Sequence, residues 1–206
     1  MSKKHVFFIT GIGTEVGKTI VSAIVTEALQ ADYWKPIQAG DLDNSDSHKV
    51  KALVSNNKTV FHENDFALNT PMSPHAAAEI DGIEVNAAAI TEPQTENNLV
   101  IEGAGGLLVP INDTETILDL IQPHHKVIVV SRHYLGSINH TLLTIEKLKQ
   151  DGKQIHGVIF NGNEHPTTES IIKKMAGVPV LGRIDDEPYF DENVVREYAD
   201  KIDLGS

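Results

Sequence analysis

The nine residues Gly11-Ile12-Gly13-Thr14-Glu15-Val16-Gly17-Lys18-Thr19 constrain this chain more than any other stretch. An apolar run, Val6-Phe7-Phe8-Ile9, leads into them, and an amphipathic segment over residues 19–31 leads out. On that segment Val21, Ile24, Val25, Ala28 and Leu29 share one face at helical spacing. Strand, glycine loop, helix is the order a phosphate-binding loop requires. Glycines let consecutive backbone N–H groups converge on phosphate oxygens, and the helix start adds the positive end of its dipole. Lys18 is then placed for the β- and γ-phosphates and the Thr19 hydroxyl for a magnesium ion. The spacing is unusual: five residues separate Gly11 from Gly17, and Ile12 stands where a first glycine is normally found. A plain glycine turn before a helix that happens to begin Lys-Thr accounts less well for Gly-Lys-Thr directly after a strand. The motif predicts an NTP-binding protein, with ATP the expected nucleotide.

With 206 residues, 40% of them hydrophobic and 22% charged, the chain is long enough for one α/β domain with a substantial core. The net charge of −12 and the lack of any Lys/Arg run argue against nucleic acid or an anionic membrane as partner. Without cysteine, disulfides, thiolate metal sites and cysteine nucleophiles are excluded. The apolar run after Met1-Ser2-Lys3-Lys4 is too short for a signal peptide or a membrane span, so a cytoplasmic protein is expected.

Down the chain, strands alternate with helices at short spacing. Strands are predicted over residues 33–37, 98–102, 126–131, 155–160 and 178–184, and helices over 48–55, from 75, 86–91, 116–122, 138–150, 167–176 and from 192. Residues 56–70 show no clear pattern. The expected fold is a single α/β domain over residues 1–206, P-loop NTPase-like, with a mostly parallel sheet of about seven strands and helices on both faces.

Three residues beyond the loop stand where such sheets build their sites. Lys35, at a strand end, is either a surface lysine or a cation aimed at a carboxylate or phosphoryl group. Asp46 suits both the N-cap of the next helix and a magnesium ligand. Glu102 is delivered by a strand into Gly103-Ala104-Gly105-Gly106, and an acid there can hold magnesium beside a phosphate loop. Ser137 reads as a helix N-cap whose N–H groups could receive an anion. His124-His125 reads as a solvated turn, and no zinc site is expected from the histidine spacing.

Together, the nine-residue loop, Lys35-Pro36-Ile37-Gln38-Ala39-Gly40, Asn44-Ser45-Asp46, Ser73-Pro74-His75, Glu102-Gly103-Ala104-Gly105-Gly106 and Leu135-Gly136-Ser137-Ile138-Asn139-His140 resemble the dethiobiotin synthetase family in identity and order. The six-residue step from Gly11 to Gly17 is itself a trait of that family. The resemblance implies ATP-dependent carboxylation and ring closure of 7,8-diaminononanoate with CO2, giving dethiobiotin, ADP and phosphate in biotin synthesis. It implies Mg²⁺ on Thr19, Asp46 and Glu102, and nucleotide contacts at Glu15, Val16, Gly17, Lys18, Thr19, Ile20, Glu102 and Gly105. Asn161 resembles the residue that reads the adenine edge, with Val180, Leu181 and Gly182 lining the base pocket. Lys18, Lys35 and Thr14 take the catalytic roles, holding the diamine and its carbamate beside Ala39. Leu135, Gly136, Ser137, Ile138 and Asn139 would bind the substrate carboxylate from the neighbouring subunit of a homodimer. The chain departs from many members at Ala39, where they carry a hydroxyl that Gln38 would have to replace. It departs again at Tyr134, where they carry a basic residue; here Arg132 lies two positions earlier.

Two other readings compete. A partner-regulated switch ATPase of the partitioning and cell-division type typically has a further lysine near the loop start, and Ile12, Gly13 and Thr14 offer none. A glutamine-dependent amide synthetase needs a glutaminase domain with a cysteine nucleophile, and there is no cysteine.

Overall fold

A computed structural model describes residues 4–205; Met1, Ser2 and Lys3 of the N-terminal lead-in, and Ser206, lie outside that range. The elements follow in the order β1 (Val6–Gly11), α1 (Lys18–Leu29), β2 (Asp32–Trp34), β3 (Ile37–Ala39), α2 (Asp46–Leu53), β4 (Phe61–His62), β5 (Phe66–Leu68), α3 (Pro74–Asp81), β6 (Leu99–Gly106), β7 (His125–Arg132), α4 (Ser137–Gln150), β8 (Gln154–Asn161), α5 (Pro166–Ala176), β9 (Val180–Ile184) and α6 (Glu192–Ala199). Seven strands form one parallel sheet in the order β4-β2-β6-β1-β7-β8-β9, and β3 pairs with β5 in a small second sheet.

Alternation along the strands builds a core on each face. Phe8, Ile101, Val127, Val129 and Phe160 pack one way, with Ile145 and Leu148 of α4 and Ile172 of α5. Phe7, Ile9, Val100, Ile128, Val130 and Ile159 pack the other way, against Val21, Ile24 and Val25 of α1 and Val195 of α6. Each such fully buried side chain contributes about 1.5–3 kcal/mol of transfer free energy. Because every pairing is parallel, the C-terminal ends of β1, β2, β6, β7 and β8 lie on one edge, the edge where such sheets bind ligands.

Several local expectations change. The strand predicted over 33–37 divides around Lys35 and Pro36, and its second half joins another sheet; Pro36 has no N–H to continue a ladder. The featureless stretch 56–70 supplies β4 and β5, which are too short to display a two-residue period. Glu102 sits inside β6, opposite Ile9, because the strand runs through the glycines to Gly106. Ser45, not Asp46, caps α2, accepting from the His48 N–H. Gly136, with φ 104°, precedes α4, so Ser137 is its first residue and makes no capping hydrogen bond.

Candidate active site

The phosphate loop is held by the strand behind it and by β8. Asn161, at the end of β8, donates from Nδ2 to the Val16 carbonyl at 2.8 Å. Gly17 has φ 94°, and a Cβ there would lie 2.1 Å from Asn161 Nδ2. Gly17→Ala is therefore expected to cost ~2 kcal/mol or more of stability and at least about tenfold in ADP affinity. Thermal melting and calorimetric titration measure the two losses; an unchanged ADP affinity would remove Asn161 and Gly17 from the cradle. Glu15 adopts φ 58°, a left-handed conformation uncommon for a residue with a side chain.

Lys18 opens α1 and is 7% exposed. Its Nζ donates to the Gly13 carbonyl at 3.1 Å, which turns it back over the loop. Burial lowers its pKa to about 8, Glu102 working in the opposite direction and Lys35 adding to the depression. The ammonium that a phosphate needs is thus fully formed below that pH and lost above it, and a bound anion raises the pKa. ADP affinity in the absence of metal is expected to fall as pH rises through about 8, approaching roughly tenfold per pH unit for one proton. A flat calorimetric profile from about pH 7 to 9 would refute this.

Beside the loop, four side chains meet. Lys35 leaves the end of β2, buried at 4% exposure. It donates to Glu102 Oε1 at 3.1 Å and makes a close ion pair with Asp46 Oδ2. Thr19 Oγ1 donates to the same Glu102 Oε1 at 3.0 Å. Burial alone would lower the Lys35 pKa, but Glu102 and then Asp46 outweigh it, and the pKa ends above its ordinary value. Burial pushes the Asp46 carboxyl up, and the Lys35 charge more than reverses this, leaving its pKa lowered. Because Ser45 does the capping, the Asp46 carboxylate is free for this contact.

Thr19, Asp46 and Glu102 form an all-oxygen set of one hydroxyl and two carboxylates, the donor chemistry hard divalent cations require. Lys35 bridging the two acids shows that they demand positive charge between them. The residues fit Mg²⁺.

A cavity of about 830 Å³ opens over these groups. Thr14, Glu15, Gly17, Lys18, Thr19, Ile20, Lys35, Ala39, Asp46, Glu102, Gly105 and Asn161 all line it. Val16 does not; it is buried, and only its carbonyl takes part, through Asn161. Val180, Leu181 and Gly182 do not line it either, because Leu181 packs into the core and Val180 against it. The wall there comes from Asp185, Asp186, Glu187 and Phe190 just beyond β9, with Arg132 from β7 paired to Asp186 at 3.3 Å. Sequence reasoning missed these; their one signal is a loop following the last strand of a parallel sheet. The Gln38 amide is engaged locally, accepting from the Asp46 N–H at 3.3 Å and donating to the Gly40 carbonyl at 2.9 Å, so it does not stand in for a hydroxyl at Ala39. Leu135, Gly136, Ser137, Ile138 and Asn139 lie outside the cavity of their own chain.

At the other end of β7, His125 is not solvated but 2% exposed, stacked on Phe8, with its pKa lowered by burial to about 4. Together with His124 it meets Glu92. His125 Nδ1 accepts from the Gln122 N–H at 3.0 Å, so the neutral ring carries its proton on Nε2, which points at Glu92 Oε2 at 3.1 Å. A metal on Nε2 would need the opposite tautomer. The trio is a hydrogen-bonded brace.

Fold and site together define a P-loop protein that binds a nucleoside triphosphate. A family profile described as an AAA domain matches residues 5–194. The septum site-determining protein MinD of Pyrococcus horikoshii, complexed with Mg-ADP, superposes with a TM-score of 0.59 at 15% identity, over 98% of this chain and 88% of that one. A ParA family ATPase of Chlorobium tepidum gives 0.54 at 14% identity, over 97% and 98%. At such identities the likeness is one of fold. The sequence carries more: ATP-dependent dethiobiotin synthetase BioD of Christiangramia forsetii is 70% identical over 95% of both chains. The proteins of the same name from Cytophaga hutchinsonii and Brucella anthropi are 49% identical, over 95% of this chain and 96% of that one, and 41% identical, over 93% and 91%. The chain belongs to the ATP-dependent dethiobiotin synthetase family, and is an ATP-using ligase. Among the described residues no helix is long and apolar enough to cross a membrane.

Proposed function

We propose that this chain, read as one P-loop domain, joins CO2 to 7,8-diaminononanoate and closes the ureido ring of dethiobiotin at the expense of ATP. The observation that carries the reading is a cavity in which Lys18, from the phosphate loop, and Lys35, from the neighbouring strand, stand beside buried Glu102 and half-buried Asp46. Such a cavity suits two anions brought together: the ATP γ-phosphate and a carbamate.

One substrate amine takes up CO2 and loses a proton, giving a carbamate. A carbamate oxygen attacks the γ-phosphorus in line, the bond to the ADP oxygen breaks, and a carbamic-phosphoric anhydride forms. The second amine attacks the carbonyl carbon, phosphate leaves, and the last proton passes to phosphate or solvent. No protein nucleophile is required. Lys18 and the loop N–H groups hold the phosphate oxygens; Lys35 and Thr14 hold the carbamate against them. Thr19, Asp46 and Glu102 would hold Mg²⁺, which would supply charge neutralisation at the phosphates. Since Asn161 Nδ2 is tied to Val16, its oxygen is left to accept from the 6-amino group of adenine, where guanine presents a carbonyl acceptor instead.

The substrate's carboxylate end is assigned to a second copy of the chain. Leu135 is fully exposed, and its sequence neighbours Tyr134 and Ile138 are exposed too, on a segment that contributes nothing to its own cavity. A fully active monomer by sedimentation mass would refute the shared site.

The deciding assay supplies Mg²⁺, ATP, bicarbonate and the diamine to the purified protein. Phosphate release should depend on the diamine and match the ureido product one for one. Absence of either, or ATP turnover stimulated by a protein partner without diamine, overturns the proposal.

A further inference from the structure

Glu102 presents two carboxylate oxygens, and the structure uses them differently. Oε1 faces the cavity side, receiving Thr19 Oγ1 at 3.0 Å and Lys35 Nζ at 3.1 Å. Oε2 points back into the protein, where the Tyr33 hydroxyl donates to it at 2.9 Å. Tyr33 does not line the cavity.

The sheet register explains the contact. Tyr33 on β2 lies opposite Val100 on β6. Glu102 is two residues further on, so it projects from the same face as Val100 and Tyr33. A diagonal neighbour at i, j±2 is beyond a short side chain but within reach of an aromatic one. The ring is fully buried, packed at 6.0 Å from Phe61, and has no freedom to leave the carboxylate.

We propose that Tyr33 is a positioning residue: its buried hydroxyl occupies Glu102 Oε2, fixing the carboxylate so that Oε1 alone is offered to the divalent cation. Groups that hydrogen-bond a metal's ligands set their orientation and commonly influence metal affinity by about 10–100-fold. Without the phenol, Glu102 Oε2 is a buried acceptor lacking a donor, and the carboxylate is free to rotate towards Lys35. The proposal rests on the reading of Glu102 as a cation ligand.

The test is Tyr33→Phe, which keeps the ring and removes only the hydroxyl. Mn²⁺ is titrated by electron paramagnetic resonance in the presence of a non-hydrolysable ATP analogue, and analogue affinity without metal is measured separately by calorimetry. The expected result is a Mn²⁺ affinity weakened about tenfold with metal-free analogue affinity unchanged. In a Glu102→Gln background, Tyr33→Phe should produce no further change in Mn²⁺ affinity. The positioning role is overturned if Mn²⁺ affinity is unchanged, if Mn²⁺ and metal-free affinities fall together, or if the variant fails to fold. These readings do not depend on ring closure: a wild-type protein that makes no ureido product sinks the proposed function and leaves the Mn²⁺ titration intact. Conversely, Glu102→Gln with unaltered Mn²⁺ affinity sinks the ligand reading itself, while a loss in Glu102→Gln without one in Tyr33→Phe sinks only the role of Tyr33.

Discussion

Lys18→Met is expected to lose ATP turnover by about a thousandfold or more while melting at or above the wild-type temperature. The two halves have one cause. Lys18 is nearly buried, its hydrogen bond goes to a neutral carbonyl, and its pKa is lowered by burial to about 8. An ammonium whose folded pKa lies below its unfolded value binds its proton less tightly in the folded state. Folding therefore carries a penalty that is fully present below about pH 8, shrinks as pH rises, and is gone above the unfolded value of 10.5. Its size is about 3 kcal/mol at most. Methionine keeps the aliphatic stem and removes the penalty, so the gain in stability should be largest near neutral pH and vanish in alkali. The phosphate site, in contrast, loses the cation that the developing charge requires. Phosphate release and thermal melting across pH check both halves. Turnover near the wild-type rate would contradict the loop assignment; a melting temperature well below wild type would contradict the account of the burial.

That combination was readable in outline from residues 11–19 and not in detail. Glycines, Lys18 and Thr19 announce themselves by position because phosphate binding there is done by backbone geometry. The brace that Asn161 makes to Val16 joins positions 145 apart, and nothing local in the sequence points from one to the other. Lys35 and Glu102 were legible as residues at strand ends, yet their meeting depends on β2 and β6 being neighbours, which is a property of strand order. Asp46 was legible as either cap or ligand, and the structure separates the roles by giving the cap to Ser45. Asp185, Asp186 and Glu187 lie in the acidic stretch after the last strand, where no local pattern marks a site, and only the sheet topology turns them into a cavity wall. His124-His125 shows the reverse error: a polar dipeptide resembles a turn, but packing on Phe8 and the bond from Gln122 bury the second ring. Short elements fare worst, since two residues such as Phe61 and His62 carry no period at all.

Lys35→Met is expected to act differently from the loop variant, lowering stability and substrate use together and making the protein dependent on added cation. Lys35 lies between Asp46 and Glu102, whose side chains are 24% and 1% exposed. Removing one member of a buried ionic cluster strands the others, at a cost of roughly 3–5 kcal/mol in a dry interior. Solvent at Asp46 reduces the effect, so a loss of about 2–3 kcal/mol is expected. Since the stranded groups are carboxylates with Thr19 beside them, millimolar Mg²⁺ or Mn²⁺ should restore part of the lost melting temperature in the variant and do much less for the wild type, where the ammonium already supplies the charge. Diamine-dependent phosphate release should fall by at least about a hundredfold, the typical loss for one preorganised donor, with ADP affinity at saturating Mg²⁺ close to normal. Melting curves with and without metal, ADP titration and the phosphate assay separate these terms. Equal losses in ADP affinity and diamine use would assign Lys35 a purely structural role. A variant as stable as the wild type in metal-free buffer would show that the two acids do not need a cation between them, and would remove the reason for placing one there.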